Sequence, residues 1–278
     1  MKLNDRISRG LYWDAALSLV EGCTPCAPGC ANCWAAAQTH MGAKQKNEKI
    51  RARYEGLTDE AGRFNGKVRV RPLQECVKKL NERTPQRFAV WNDLFHNDVE
   101  DEYIRLFNLA VEAHPDHRVL VLTKRAWRMS GYYCSKRYSP PAPDNLWLGT
   151  SFSDTDTALK NLPPLLAIPG VHRWGSYEPA LKRLSKEALD LVKQLDWLVI
   201  GGESGPKARP CFEDWFWGLI HDFKETGKPV FLKQLGNAEW VPRGEHNYDV
   251  VSHRTKRAGT AATIDGQCYL ELPEGLRI

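Results

Sequence analysis

The sequence predicts an α/β fold, a (β/α) barrel either complete or partial, and three observations predict it. The length of 278 residues suits one such barrel. Short apolar runs rich in β-branched and aromatic residues recur about every 25–30 residues, with helical patterns between them. Polar residues gather where these runs end, the face on which parallel α/β folds place their sites.

The clearest runs are Phe88-Ala-Val-Trp-Asn-Asp-Leu94, Arg118-Val-Leu-Val-Leu-Thr-Lys124 and Asn145-Leu-Trp-Leu-Gly-Thr-Ser151. His172-Arg-Trp-Gly-Ser-Tyr-Glu178, Trp197-Leu-Val-Ile-Gly-Gly-Glu203 and Pro229-Val-Phe-Leu-Lys-Gln234 follow. A seventh is expected around Ala16 to Val20. Continuous apolar runs suit parallel strands covered on both faces. A helix is predicted from Asp101 to Ala113, with Tyr103, Ile104, Phe107, Leu109, Ala110 and Val111 in its pattern and Pro115 as its stop. Ser185 to Gln194 opens like a capping box, although the acid, Glu187, falls one position early. Phe212 to Glu225 is amphipathic and stops at Gly227-Lys-Pro229.

Two stretches break the rhythm. Residues 39–71 are rich in Lys, Arg, Glu and Gly and are expected to be an insertion with a short helix and a hairpin. Residues 237–278 look like a C-terminal appendage to a barrel domain spanning 1–236. Neither an internal repeat nor a low-complexity tract is present.

The hydrophobic share of 42% and charged share of 26% are those of a globular protein that can bury a core without crosslinks. A net charge of +5 permits an anionic partner and falls short of a dedicated electrostatic DNA binder. No apolar run approaches the roughly 18 residues of a membrane span. The start, Met1-Lys-Leu-Asn-Asp-Arg-Ile-Ser-Arg9, lacks the apolar core of a secretory signal. A cytoplasmic location is expected, where thiols stay reduced.

Cys23, Cys26, Cys30 and Cys33 fall within eleven residues, with Pro25, Pro28 and Gly29 between them. Turn formers let several sulfurs of one short loop converge on a point, as a metal or cluster requires. Two ligand sets compete, Cys26-x3-Cys30-x2-Cys33 and Cys23-x6-Cys30-x2-Cys33. Zinc held by two CxxC pairs is the rival metal, although the gap between the pairs is much shorter than in zinc ribbons. Cys76, Cys134, Cys211 and Cys268 are scattered singly and read as core or surface thiols. The strand ends supply Asn92, Asp93, Lys124, Ser151, Glu178, Gly201, Gly202, Glu203 and Lys233. Of the ten tryptophans, Trp91, Trp127, Trp147, Trp174, Trp197 and Trp215 read mostly as core or cavity lining.

The chain resembles a phage-associated family, long filed as a domain of unknown function, that is itself similar to radical S-adenosylmethionine (SAM) barrels. The resemblance rests on Gly22-Cys-Thr, Pro28-Gly-Cys-Ala-Asn-Cys-Trp34, Asp93-Leu-Phe-His96, Leu122-Thr-Lys-Arg125 and Leu146-Trp-Leu-Gly149. It continues through Ser176-Tyr-Glu-Pro179, Gly201-Gly-Glu-Ser-Gly-Pro206, Ala208-Arg-Pro210 and Leu232-Lys-Gln-Leu-Gly236. The family's cysteines match Cys23, Cys30 and Cys33, while Cys26 stands where the family usually has none. Trp34 replaces the usual Tyr, and Trp174-Gly-Ser-Tyr177 a more aliphatic strand.

The resemblance implies a radical SAM enzyme with a [4Fe-4S] cluster on Cys23, Cys30 and Cys33 and SAM at the free iron. It implies catalytic roles for Asp93, Lys124 and Glu178, and cofactor contacts from Asn92, Ser151, Gly201, Gly202, Glu203 and Lys233. Its phage association implies a nucleobase or nucleotide substrate, isomerised or modified in DNA, and the host cytoplasm as location. A flavodoxin-like or ferredoxin-like electron donor is implied as partner. The rival expectation is a non-catalytic nucleic-acid-binding protein stiffened by zinc or an iron–sulfur site.

Overall fold

A computed structural model of the chain describes residues 6–135, 141–244, 247–252 and 262–278. The first five residues of the start read above, and parts of the expected C-terminal appendage (245–246 and 253–261), lie outside the described residues.

Strand β1 (Ala15–Ser18) is followed at once by β2 (Val20–Gly22), then helices α1 (Trp34–Gly42) and α2 (Glu48–Tyr54), strand β3 (Val68–Val70) and helix α3 (Leu73–Val77). The regular alternation then runs β4 (Arg87–Trp91), α4 (Asp101–Glu112), β5 (Arg118–Thr123), α5 (Ala126–Tyr133), β6 (Leu146–Phe152) and α6 (Thr155–Leu166). It continues with β7 (His172–Tyr177), α7 (Lys186–Val192), β8 (Trp197–Gly201), α8 (Glu213–Lys224) and β9 (Val230–Gln234). The chain ends in two short antiparallel pairs, β10 (Ala238–Gly244) with β11 (Asn247–Ser252) and β12 (Thr263–Ile264) with β13 (Gln267–Cys268).

Seven strands form one parallel sheet in the order β1-β4-β5-β6-β7-β8-β9. Each new strand joins beside the last, which is how a (β/α) barrel winds. The sheet stays open, because β1 and β9 are not hydrogen-bonded neighbours. It nevertheless curls: Tyr12, just ahead of β1, meets Trp174, Trp197 and Phe231 of the last three strands edge-on at 5.3–5.8 Å. The fold is thus a partial (β/α) barrel, as expected.

Strand side chains alternate between two cores. Val119, Val121, Leu146, Leu148, Leu198, Ile200, Val230 and Leu232 face outward into a large core shared with the helices. Helix α4 joins it through Ile104, Phe107, Asn108 and Val111, spaced for one helical face. The inward residues Leu120, Trp147, Trp174, Trp197, Val199 and Phe231 form a second core with Tyr12, Leu272 and Leu276. Gly149 makes room there, since a Cβ at that position would lie 2.4 Å from the Trp174 indole. The C-terminal segment closes this end: Leu232 N donates to Tyr269 O, Glu271 N to Val230 O, and Trp197 Nε1 to Glu271 O.

Several local expectations are corrected. Helix α6 is not one of the three helices named from the sequence, and it carries Pro163 and Pro164 inside it. The capping box of Asp154 and Thr157, with burial of Ala158, Asn161, Leu162 and Leu165, holds it as a helix. Helix α5 was also missed, and Trp127 on it is 51% exposed and lines no core. The 39–71 region holds the end of α1 and all of α2, a bridge between Thr58 and Phe64, and β3, which returns to pair with β2. The pairing is long-range and shows no local hairpin signal. Among the described residues no helix is long and apolar enough to cross a membrane.

Candidate metal centre

The cysteine loop leaves β2 at Gly22 and enters α1 at Trp34, at the C-terminal end of the parallel strands. Its backbone turns twice in this short span, through a 3-10 turn at Pro28–Cys30 and again where Cys33 caps α1. Cys23, Cys26, Cys30 and Cys33 all line a cavity of about 270 Å³. Asn92, Asp93, Lys124, Ser151, Glu178, Gly202, Glu203 and Lys233 line the same cavity. Of the strand-end residues named as site candidates, Gly201 alone stays behind the wall. A Cβ there would stand 2.7 Å from Glu178 Oε1, so its bareness lets Glu178 turn inward.

The thiols differ in setting. Cys23, Cys30 and Cys33 are half-buried and Cys26 is exposed. Burial, helped by the Asp93 charge, pushes the Cys23 thiol up to about 11 against the pull of Arg125. The hydrogen bond from Cys26 brings Cys30 down to about 5, with the Lys124 ammonium also lowering it. That same bond, followed by burial, raises Cys26. Among the described residues no three His, Cys, Asp or Glu side chains are gathered around a single-ion site. Soft thiol donors on one loop, facing a cavity that also holds cations, fit a larger iron–sulfur group.

The polar side chains around the thiols are tied into networks. Asp93 is buried; its Oδ1 accepts from Thr123 Oγ1 at 2.7 Å and Phe95 N at 3.1 Å, and its Oδ2 from Arg125 Nη1. Arg125 Nη2 donates to Thr24 O at 2.7 Å, and Nη1 lies 3.7 Å from Cys23 Sγ. Glu203 Oε2 accepts from Asn32 Nδ2 at 2.9 Å and Arg209 N at 2.8 Å, and Oε1 accepts from Arg209 Nη2 at 2.5 Å. Burial pushes the Glu203 carboxyl up, but these bonds outweigh it and leave it below its usual value. Glu178 pairs with Lys233 Nζ at 3.1 Å and accepts from Ser176 Oγ at 3.1 Å. Asn92, in the left-handed region at φ 61°, sends its amide away from the thiols to Val20 O and Glu21. Lys124 has no hydrogen-bond or ion-pair partner among the described residues, and its ammonium is available to a ligand.

Residues 8–273 match the family model described as Protein of unknown function (DUF5131). The chain belongs to that family. No curated protein matches it. Among solved structures it is similar to a spore photoproduct lyase complexed with dinucleoside spore photoproduct, at 13% identity and a TM-score of 0.46, covering 86% of this chain and 68% of that one. A cysteine-to-serine mutant of spore photoproduct lyase gives 12% identity and a TM-score of 0.45 over the same shares.

Sequence reasoning missed Asn32, Arg125, Ser176 and Arg209. All four stand inside motifs quoted above, yet no spacing rule marks them. Arg125 and Arg209 differ from ordinary surface arginines only in what the fold places opposite them.

Proposed function

We propose that this DUF5131 protein is a radical SAM enzyme, with a [4Fe-4S] cluster on Cys23, Cys30 and Cys33. The observation that supports it most is the cysteine loop at the C-terminal strand ends of a parallel partial barrel, facing the cavity into which the polar strand ends project. When bound, the cluster and SAM would supply one-electron reductive chemistry at the mouth of the cavity. The chain's own residues bind, orient and shield. Lys124 offers an unpaired cation to a carboxylate or phosphate. Glu178 and Lys233 hold each other ready to exchange polar contacts with a ligand, and Ser151 and Gly202 add a hydroxyl and bare backbone to the wall. Asp93 keeps Arg125 in place, and both its oxygens are engaged. The Trp174 indole lines the inner end of the same cavity, backed by the buried Trp197, and this apolar floor excludes water.

For the substrate we propose a nucleobase, in DNA or as a nucleotide, that is isomerised or modified, as the resemblance to a phage-associated family implies. Trp34 is 50% exposed at the cavity's lip and meets Trp91 edge-on at 5.3 Å, an aromatic surface on which a base can stack. A base within duplex DNA would enter by extrusion from the stack. A flavodoxin-like or ferredoxin-like donor would deliver the electron in the host cytoplasm.

Anaerobic reconstitution with iron and sulfide is the test. The expected result is a brown protein that releases 5′-deoxyadenosine and methionine from SAM on reduction. A colourless protein that retains one zinc and leaves SAM intact overturns the reading in favour of a zinc-stiffened binding protein.

A further inference from the structure

The cysteine loop is held from two sides by the same device, an arginine gripped by a buried carboxylate. On the β5 side, Asp93 is fixed by Thr123 and Phe95 N and in turn fixes Arg125. Arg125 then reaches the loop twice, at Thr24 O (2.7 Å) and Cys23 Sγ (3.7 Å). On the β8 side, Glu203 grips Arg209 through Nε at 2.9 Å and Nη2 at 2.5 Å. Arg209 Nη1 donates to Pro28 O at 3.1 Å, and Asn32 joins the loop to Glu203 and to Lys207 O at 2.8 Å. Residues 24, 28 and 32 are therefore tied down, one in each interval between successive cysteines. A planar guanidinium suits this task because its fork can hold a carboxylate and still present N–H groups on another edge.

The two clamps differ in one respect. Arg209 touches only backbone of the loop, whereas Arg125 also faces a sulfur. We propose that Arg125 and Arg209 are positioning residues of the metal centre, and that of these two arginines only Arg125 tunes it, by placing a fixed positive charge against Cys23. This rests on the iron–sulfur reading above and makes Cys23 the third ligand in preference to the exposed Cys26. A cation beside a ligand thiolate favours the more reduced, more negative state of the centre.

The experiment compares wild type, Arg125→Gln, Arg125→Lys and Arg209→Gln after anaerobic reconstitution, reading iron per chain and the midpoint potential by EPR-monitored titration. Arg125→Gln is expected to shift the potential negative, with Arg125→Lys between it and wild type. Arg209→Gln is expected to lower iron loading and leave the potential unchanged. Equal potentials in Arg125→Gln and wild type, or equal shifts in the two glutamine variants, overturn the proposal. If Arg125→Gln does not fold, Arg125→Lys decides: reduced loading with a small negative shift supports the clamp, and wild-type values of both overturn it. Hydrogen–deuterium exchange of the loop amides in the metal-free chain, which needs no cluster assembly, separates this proposal from the radical SAM reading. Faster exchange over residues 23–33 in Arg125→Gln and in Arg209→Gln, with Cys26→Ser like wild type, supports the clamp even in a chain that assembles no four-iron cluster. Such a chain would sink only the radical SAM reading. Unchanged exchange in Arg125→Gln sinks the clamp.

Discussion

The two ends of the barrel are built from the same strands by opposite means. At the closed end the inward positions are Trp147 on β6, Trp174 on β7, Trp197 on β8 and Phe231 on β9. Two to four residues further along the same faces, Ser151, Ser176 and Lys233 replace them, with Glu178 just beyond β7. The aromatic end is held by contact area and by a few indole N–H bonds, such as Trp174 Nε1 to Val121 O at 3.2 Å. The open end is held by charge-assisted hydrogen bonds that fix the cysteine loop. One end therefore carries stability and the other geometry, and damage to each should register on a different instrument.

The sharpest way to break that division is Trp197→Ala. Truncating a fully buried indole is expected to cost about 3–5 kcal/mol in urea unfolding. Iron bound per folded chain should stay at the wild-type value, and a loss of loading in the folded fraction would show that the two ends are coupled. Glu203→Ala should do the reverse. It strips the partner from Arg209, which is one-third exposed, and is expected to cost only about 1–2 kcal/mol while iron loading falls markedly.

Acid probes the same clamp without mutation. The folded-state carboxyl of Glu203 lies below its usual value near 4.5, so it contributes stability above that value. The contribution is lost as the pH falls through the lowered folded-state value. Glu203→Gln should flatten this part of the stability–pH curve, and a curve as steep as wild type would assign the acid sensitivity elsewhere. Lys124→Met is expected to leave stability within about 0.5 kcal/mol. It should weaken SAM binding about tenfold in equilibrium dialysis, the equivalent of one charge-assisted bond. The smallest effect is expected from Cys26→Ser, with iron content and stability both at wild-type values.

Much of this architecture was legible before any coordinates. Runs such as Trp197-Leu-Val-Ile-Gly201 carry their own evidence, since only a doubly covered strand is apolar at every position. Helix α4 was legible because its buried residues recur at one helical face. The pairing of β2 with β3 left no such trace, because the residues that match, Val20 with Val70 and Gly22 with Val68, lie some fifty positions apart. Asp93 and Glu203 were legible as polar strand ends and illegible as clamps, since a carboxylate's partners are chosen by whatever the fold sets opposite it.

The amino-acid sequence by itself determined the seven strands of the parallel sheet, the winding of the barrel, the end at which the polar residues gather, and the loop that bears the thiols. Local periodicity and turn chemistry act over a few residues, and they are written in the chain. Tertiary structure alone decided that the sheet remains open and that the C-terminal segment closes its aromatic end. It also decided that Arg125 faces Cys23 while Arg209 faces only backbone. These are contacts between residues far apart in sequence, whose free energy depends on the distance and burial that the fold creates.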